Sequence, residues 1–224
     1  NLDSRSLEHY SVKYQNIVNM YRTMAEKDIN DLIIVSPKQK IHRDIMNIFD
    51  PAIIHLMRNA IDHGIEDNET RQALKKGAGQ ISIDFRYKND KYEFIVKDNG
   101  KGINPNSIYE TALEKKLINE KDTKNLSDQE KIKLICLPGF STKKVVTQTS
   151  GRGVGMDAVI KSMQLFGGGF EIGSTLGKGT TFTIWLPGKA HILNYQKLSR
   201  SKTNLWNKIL EKFAKYQSNL GKTS

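Results

Sequence analysis

The sequence predicts an α/β protein with a basic helix appended at its C-terminus. Three observations carry that reading. Residues 51–63 place Ile53, Leu56, Met57, Ala60 and Ile61 on one helical stripe. Ile81, Ile83, Phe85 and Tyr87 alternate with polar residues, as do Tyr92, Phe94 and Val96, which is the period of half-buried strands. A glycine-rich run, Ser150-Gly-Arg-Gly-Val-Gly-Met156, leads directly into an amphipathic stretch.

In chain order, residues 7–27 read as a helix, with Leu7, Tyr10, Tyr14, Ile17, Val18 and Tyr21 at near-helical spacing. Asp31-Leu-Ile-Ile-Val is a short strand. Asp50-Pro51 offers an N-cap followed by proline at the first helical position, so a second helix is expected to start there, run to His63 and stop at Gly64. The two alternating runs are strands joined by a turn at residues 88–90. Residues 103–138 are polar, lysine-rich and partly helical, and their length suggests a mobile flap. A helix at 154–166 follows, then strands at 169–173 and 180–186 around Gly177 and Gly179, closed by Pro187-Gly188. The expected organisation is an N-terminal helix at 1–30 (a linker or dimerisation stub), a folded α/β domain at 31–188 and a basic tail with an amphipathic helix at 189–224.

Composition sets limits. The 224 residues are 38% hydrophobic and 26% charged, enough for a buried core and against wholesale disorder. No apolar run approaches the roughly 20 residues of a membrane span, the first residues lack the apolar core of a signal peptide, and Cys136 is the single cysteine. These features fit a cytoplasmic protein. The chain begins without Met, as expected of a piece of a longer protein. Of the net charge of +11, residues 189–224 hold +7: seven lysines and one arginine against Glu211. Within that tail Leu205, Trp206, Ile209, Leu210, Phe213 and Tyr216 share a helical face, suited to a partner, a membrane surface or packing on its own domain. No base-reading motif supports a nucleic-acid role.

Several segments suggest chemistry. On the 51–63 helix, His55, Asn59, Asp62 and His63 fall at i, i+4, i+7 and i+8, so a polar face runs beside the apolar stripe. A merely solvated helix face would look the same. In Val96-Lys-Asp-Asn-Gly-Lys-Gly-Ile103, alternation carries the inward face from Phe94 and Val96 to Asp98. A buried carboxylate needs donors, and the amino group of a flat heterocycle such as adenine is one. Gly100 and Gly102 let the backbone turn and approach a ligand, although an ordinary Asp-Asn-Gly turn has the same composition. Gly151, Gly153 and Gly155 ahead of a helix N-terminus form a phosphate cradle in physical terms. The spacing of a Walker A loop is absent, and a loose dinucleotide pattern at 153–158 lacks its strand and acid. Pro138-Gly-Phe-Ser-Thr-Lys-Lys144 adds hydroxyls and Lys143, and Thr180 enters a strand where its hydroxyl would support Asp98.

Taken in order, these segments resemble the asparagine box, the three glycine boxes and the phenylalanine box of the ATPase superfamily that unites gyrase, Hsp90, histidine kinases and MutL. His55-Leu-Met-Arg-Asn-Ala-Ile-Asp-His-Gly-Ile-Glu66, Leu137-Pro-Gly-Phe-Ser-Thr-Lys-Lys144 and Ser150-Gly-Arg-Gly-Val-Gly-Met-Asp-Ala-Val159 resemble the chemotaxis histidine kinases of the CheA type. The resemblance implies a two-layer α/β sandwich of the histidine-kinase ATPase fold, a mixed sheet with helices on one face. It also implies ATP and Mg2+ as ligands. By position it gives Asn59 the metal, His55 the role of general base or γ-phosphate orienter, and Arg58 and His63 the phosphate side. Asp98 would take the adenine N6, with Gly100, Gly102 and Ile103 shaping that pocket and Thr180 beneath it. Ser141, Thr142, Lys143 and the amides of Gly151, Gly153, Val154 and Gly155 would hold the triphosphate, and Met156 would line the pocket.

The implied reaction is transfer of the γ-phosphoryl to a histidine on a separate phosphotransfer domain, with a response regulator downstream and a homodimer in the full-length protein. The chain departs from the pattern in two ways. The tail after Gly188 is too short for the CheW-like coupling domain, and His9 in Leu-Glu-His-Tyr lacks the surroundings of a phosphoacceptor box. Two other functions share the fold: an ATP-gated binding module without phosphotransfer, and a serine kinase of the anti-sigma type.

Overall fold

The computed structural model describes residues 3–123, 125–140 and 156–188. Its chain order begins with β1 (Ser4–Ser6), a 3-10 turn at Leu7–Tyr10, α1 (Ser11–Met24), β2 (Ile33–Ile34) and β3 (Lys40–His42). β1 and β3 pair antiparallel, Ser4 opposite His42. α1 buries Tyr14, Val18 and Tyr21, positions i, i+4 and i+7 of one stripe.

α2 (Arg43–Asn59) starts eight residues before the position that Asp50-Pro51 marks. His42 is the N-cap, its Nδ1 accepting the Asp44 amide at 3.3 Å. Pro51 is therefore inside the helix, where a proline removes one ladder bond and costs about 3 kcal/mol. The helix tolerates it because nine side chains, Ile45 to Met57, are buried along its length. Asp50 is not a cap: it accepts Lys13 Nζ at 2.6 Å and the Tyr14 hydroxyl at 3.0 Å, fastening α1 to α2. The helix ends in a π turn, Ala60–Gly64, closed by the Ile65 amide on the Ala60 carbonyl at 2.7 Å. α3 (Asn68–Ala73) follows, capped by Asp67.

β4 (Ile81–Lys88) and β5 (Lys91–Asp98) form the expected hairpin. Asn89 and Asp90 both have positive φ, 52° and 55°, the conformation that a two-residue turn between twisted strands demands. β6 (Gly169–Thr175) and β7 (Gly179–Pro187) form the second hairpin. The sheet order is β2-β4-β5-β7-β6, with β2 parallel to β4 and every other pair antiparallel, so the sheet is mixed, as expected. Ile81, Ile83 and Phe85, Phe94 and Val96, and Phe182, Ile184 and Leu186 are buried on one face. Phe49 of α2 meets Phe94 of β5 at 4.8 Å between ring centroids, and Phe94 meets Phe85 at the same distance. One helical layer thus covers one sheet face. Burying each such ring contributes roughly 1.5–3 kcal/mol.

The chain divides into two compact units, residues 1–103 with 168–189, and residues 104–167 with 190–224. In the second unit, α4 (Pro105–Glu114) begins at Asn104, whose Oδ1 accepts the Asn106 and Ser107 amides, with Pro105 at the first helical position. α5 (Glu120–Thr123) and α6 (Asp128–Lys133) follow, the latter opened by a capping box of Ser127 and Glu130. A 3-10 turn, Leu134–Cys136, and α7 (Met156–Gln164) complete the unit. Ala112, Ile132, Phe140, Met156, Val159 and Met163 are buried. The stretch after Ile103, read from sequence as a partly helical flap, holds short helices, α4 and α6 with side-chain caps, and buried apolar side chains of its own. Ser141, Thr142, Lys143, Gly151, Gly153, Val154, Gly155 and the basic tail lie outside the described residues.

Candidate functional site

Asp98 ends β5 at 2% exposure, on the inward face that alternation predicts. Its Oδ1 accepts the Gly100 amide at 2.8 Å and the Thr180 amide at 3.3 Å. Thr180 meets Asp98 through its main-chain amide, not through the hydroxyl that the sequence suggested. The hydroxyl pairs with Ser174 Oγ at 3.0 Å, which also donates to the Gly179 carbonyl and accepts the Ile103 amide. Among the described residues both bonds to Asp98 fall on Oδ1, so Oδ2 keeps its accepting capacity. Burial pushes the Asp98 carboxyl above the ordinary carboxylate range; the two amides and Lys76 act against that shift, and Glu66 adds to it.

Gly100 and Gly179 have a steric role in this loop. A Cβ on Gly100 would lie 2.1 Å from the Gly64 carbonyl oxygen, and one on Gly179, at φ 116°, would lie 2.1 Å from the Asp98 carbonyl oxygen. Both are glycine because backbone meets backbone there.

Beneath the loop is a cluster that sequence reasoning passed over. Glu66 is buried and accepts Arg71 NH1 at 2.6 Å and Lys76 Nζ at 2.7 Å. Arg71 also donates to the carbonyls of Gly77 and Ala78, and Lys76 to those of Gly100 and Gly177. Burial acts to raise the Glu66 carboxyl, but the Lys76 bond and the two cations outweigh it and hold it below its ordinary value. Glu66 closes the motif quoted above, yet its partners are five and ten residues on, at no spacing that marks a site.

On α2, His55 and Asn59 are one turn apart, about 6 Å along the axis, and both are half-buried. The Asn59 carboxamide makes no hydrogen bond among the described residues. Arg58 pairs with Asp62 at 3.1 Å and lies 5.5 Å from the Tyr21 ring centroid. His63 lies in the π turn that ends the helix and is exposed. Lys27 holds this turn: its Nζ donates to the carbonyls of Ile61 and Ile65, each at 2.6 Å. That contact, too, has no sequence signal. Met156 opens α7 and is buried, within the second unit. Among the described residues no group of three His, Cys, Asp or Glu side chains is placed to hold a metal.

The chain belongs to the histidine kinase-, DNA gyrase B- and HSP90-like ATPases, whose family model matches residues 49–190, and its mixed sheet under one helical layer, with a buried carboxylate ending the central strand, suits that class. Within that class its relatives are chemotaxis and motility regulators. It is 40% identical over 158 residues to the gliding motility regulatory protein of Myxococcus xanthus, covering 70% of this chain and 20% of that one. It is 39% identical to the sensor histidine kinase CheAY of Helicobacter pylori, with the same coverage. To the chemotaxis protein CheA of Bacillus subtilis it is 35% identical over 193 residues, 83% of this chain and 29% of the other. The chain thus spans a fifth to under a third of these relatives' length. The resemblance read from the motifs is borne out. No helix among the described residues is long and apolar enough to cross a membrane.

Proposed function

We propose that this domain binds Mg-ATP and passes the γ-phosphoryl group to a histidine on a separate phosphotransfer domain, within a chemotaxis-type signalling system in the cytoplasm. The observation that carries the reading is Asp98, a buried carboxylate with Oδ1 committed to two amides and Oδ2 left for a ligand, in a chain of this ATPase family. The adenine N6 amino group would donate there.

The residues present fit the implied ligands. The free carboxamide of Asn59 offers a hard oxygen, the donor type that magnesium takes alongside phosphates and water. Asn59 would help hold the ion, which when bound would supply positive charge against the phosphates. Around it, this chain's residues position and polarise. His55, one turn from Asn59, would orient the terminal phosphate or accept a proton. Arg58 and His63 would face the phosphates, and Ser141, Thr142, Lys143 and the amides of Gly151, Gly153, Val154 and Gly155 would complete the contacts. Phosphoryl transfer asks for little more than such placement and charge stabilisation.

Incubation with Mg-ATP and phosphotransfer domains from chemotaxis kinases is the direct test. An acid-labile phosphohistidine that disappears with Asn59→Ala and His55→Ala supports the proposal. ATP binding with no phosphohistidine on any acceptor leaves the binding-module reading, and an acid-stable phosphoserine favours the serine-kinase one.

A further inference from the structure

We infer that Lys76 is a positioning residue for base recognition, tying the loop that carries the Asp98 hydrogen bond to the β6–β7 turn and so holding Oδ2 in line for an exocyclic amino group. The inference rests on the proposal that Asp98 receives the adenine N6.

The geometry is specific. Lys76 Nζ stands at the meeting of three chain segments: Glu66 Oε1 at 2.7 Å, the Gly100 carbonyl at 2.9 Å and the Gly177 carbonyl at 3.1 Å. An ammonium has three protons, and all three have acceptors here. The peptide unit of Gly100 is gripped at both ends of the residue, its amide by Asp98 Oδ1 and its carbonyl by Lys76. Gly177 is held twice as well, its amide donating to the Lys101 carbonyl at 2.6 Å and its carbonyl accepting Lys76. From that turn the chain runs through Gly179 to Thr180, whose amide is the second donor to Asp98. Both backbone donors that orient the carboxylate therefore sit on segments anchored by one cation.

Glu66 fixes the cation. Its other oxygen is taken by Arg71, which is also bonded to the Gly77 and Ala78 carbonyls. Arg71 alone therefore keeps Glu66 paired when Lys76 is replaced. The charged groups facing Asp98 are Glu66 and Lys76, so removing the ammonium also removes the nearest positive charge from the carboxylate.

The test compares two ligands on the wild-type chain, Lys76→Met, Lys76→Arg and Asp98→Asn: ATP, and purine riboside triphosphate, which lacks the N6 amino group. Binding constants are measured by titration calorimetry, and thermal midpoints are recorded to confirm folding. The wild type is expected to prefer ATP by about tenfold or more, the scale of one charge-assisted hydrogen bond. Lys76→Met is expected to lose most of that preference through weaker ATP binding, with the analogue's affinity changed less than about twofold, while Lys76→Arg keeps the preference. The inference is overturned if Lys76→Met retains the wild-type preference, if it weakens both ligands equally, or if Lys76→Arg is as impaired as Lys76→Met. A wild type with no preference, or one that Asp98→Asn leaves unchanged, would sink the adenine reading itself.

Discussion

The two ends of the candidate site in the first unit are built differently. Around Asp98 every polar contact is internal: the carboxylate takes main-chain amides, and the loop carrying one of them is pinned by Glu66, Arg71 and Lys76. At the end of α2, Asn59 is uncommitted, His63 is exposed, and the irregular turn is held from outside by Lys27. The proposed base side is preorganised, so little ordering cost remains when a rigid heterocycle arrives. The proposed phosphate side keeps the uncommitted carboxamide of Asn59 for a flexible, charged chain and its metal. Rigidity is placed where shape is to be read, and spare polar capacity where charge is to be neutralised.

The change that would break this contrast most severely is Glu66→Ala. It leaves Arg71 buried without its carboxylate, and removing one partner of a buried pair costs about 3–5 kcal/mol. Denaturant unfolding should report that loss, while the pair of single changes at His55 and Asn59 should cost far less. Asp98→Asn comes next. It keeps the shape and removes the charge, and ATP affinity should fall by about 2 kcal/mol, the worth of a hydrogen bond to a charged group, as read by calorimetry, with unfolding little affected. An unfolding loss as large as that of Glu66→Ala would erase the distinction between scaffold and recognition group.

The smallest effect sharpens the comparison through pH. Burial raises the Asp98 carboxyl in the folded state above its unfolded value of about 3.9. The folded protein therefore binds this proton more tightly than the unfolded chain. The stability this group contributes is full below the unfolded value and is lost as pH rises through the folded one. Nucleotide affinity should move the opposite way, because the N6 donor favours the charged carboxylate. Titrations from about pH 4 to neutrality should show ATP binding strengthen with pH while the stability difference between wild type and Asp98→Asn shrinks. Parallel trends would mean that Asp98 is not the base acceptor.

Much of this was legible in sequence where local periodicity decides. The hairpin of β4 and β5 and the inward placement of Asp98 follow from alternation, and the α/β class from that alternation together with the helical stripe at 51–63. The start of α2 was not, because Asp50-Pro51 carries a strong local cap signal that nine buried side chains override. The π turn was invisible for a related reason: Lys27, which secures it, comes from 34 residues before Ile61. Glu66, Arg71 and Lys76 form a site only through the loop they hold up, and no local pattern encodes a contact to a carbonyl at Gly177.

The contact between Gly64 and the Asp98 loop has a consequence for recombination among relatives. The Lys101 amide bonds the Gly64 carbonyl at 2.9 Å, and there is no room for a side chain on Gly100 against that same carbonyl. The end of α2 and the end of β5 share a main-chain seam. A chimera that takes residues 60–66 from one parent and 98–101 from another inherits two halves of a joint cut to different patterns, whereas exchanging both together carries the joint intact.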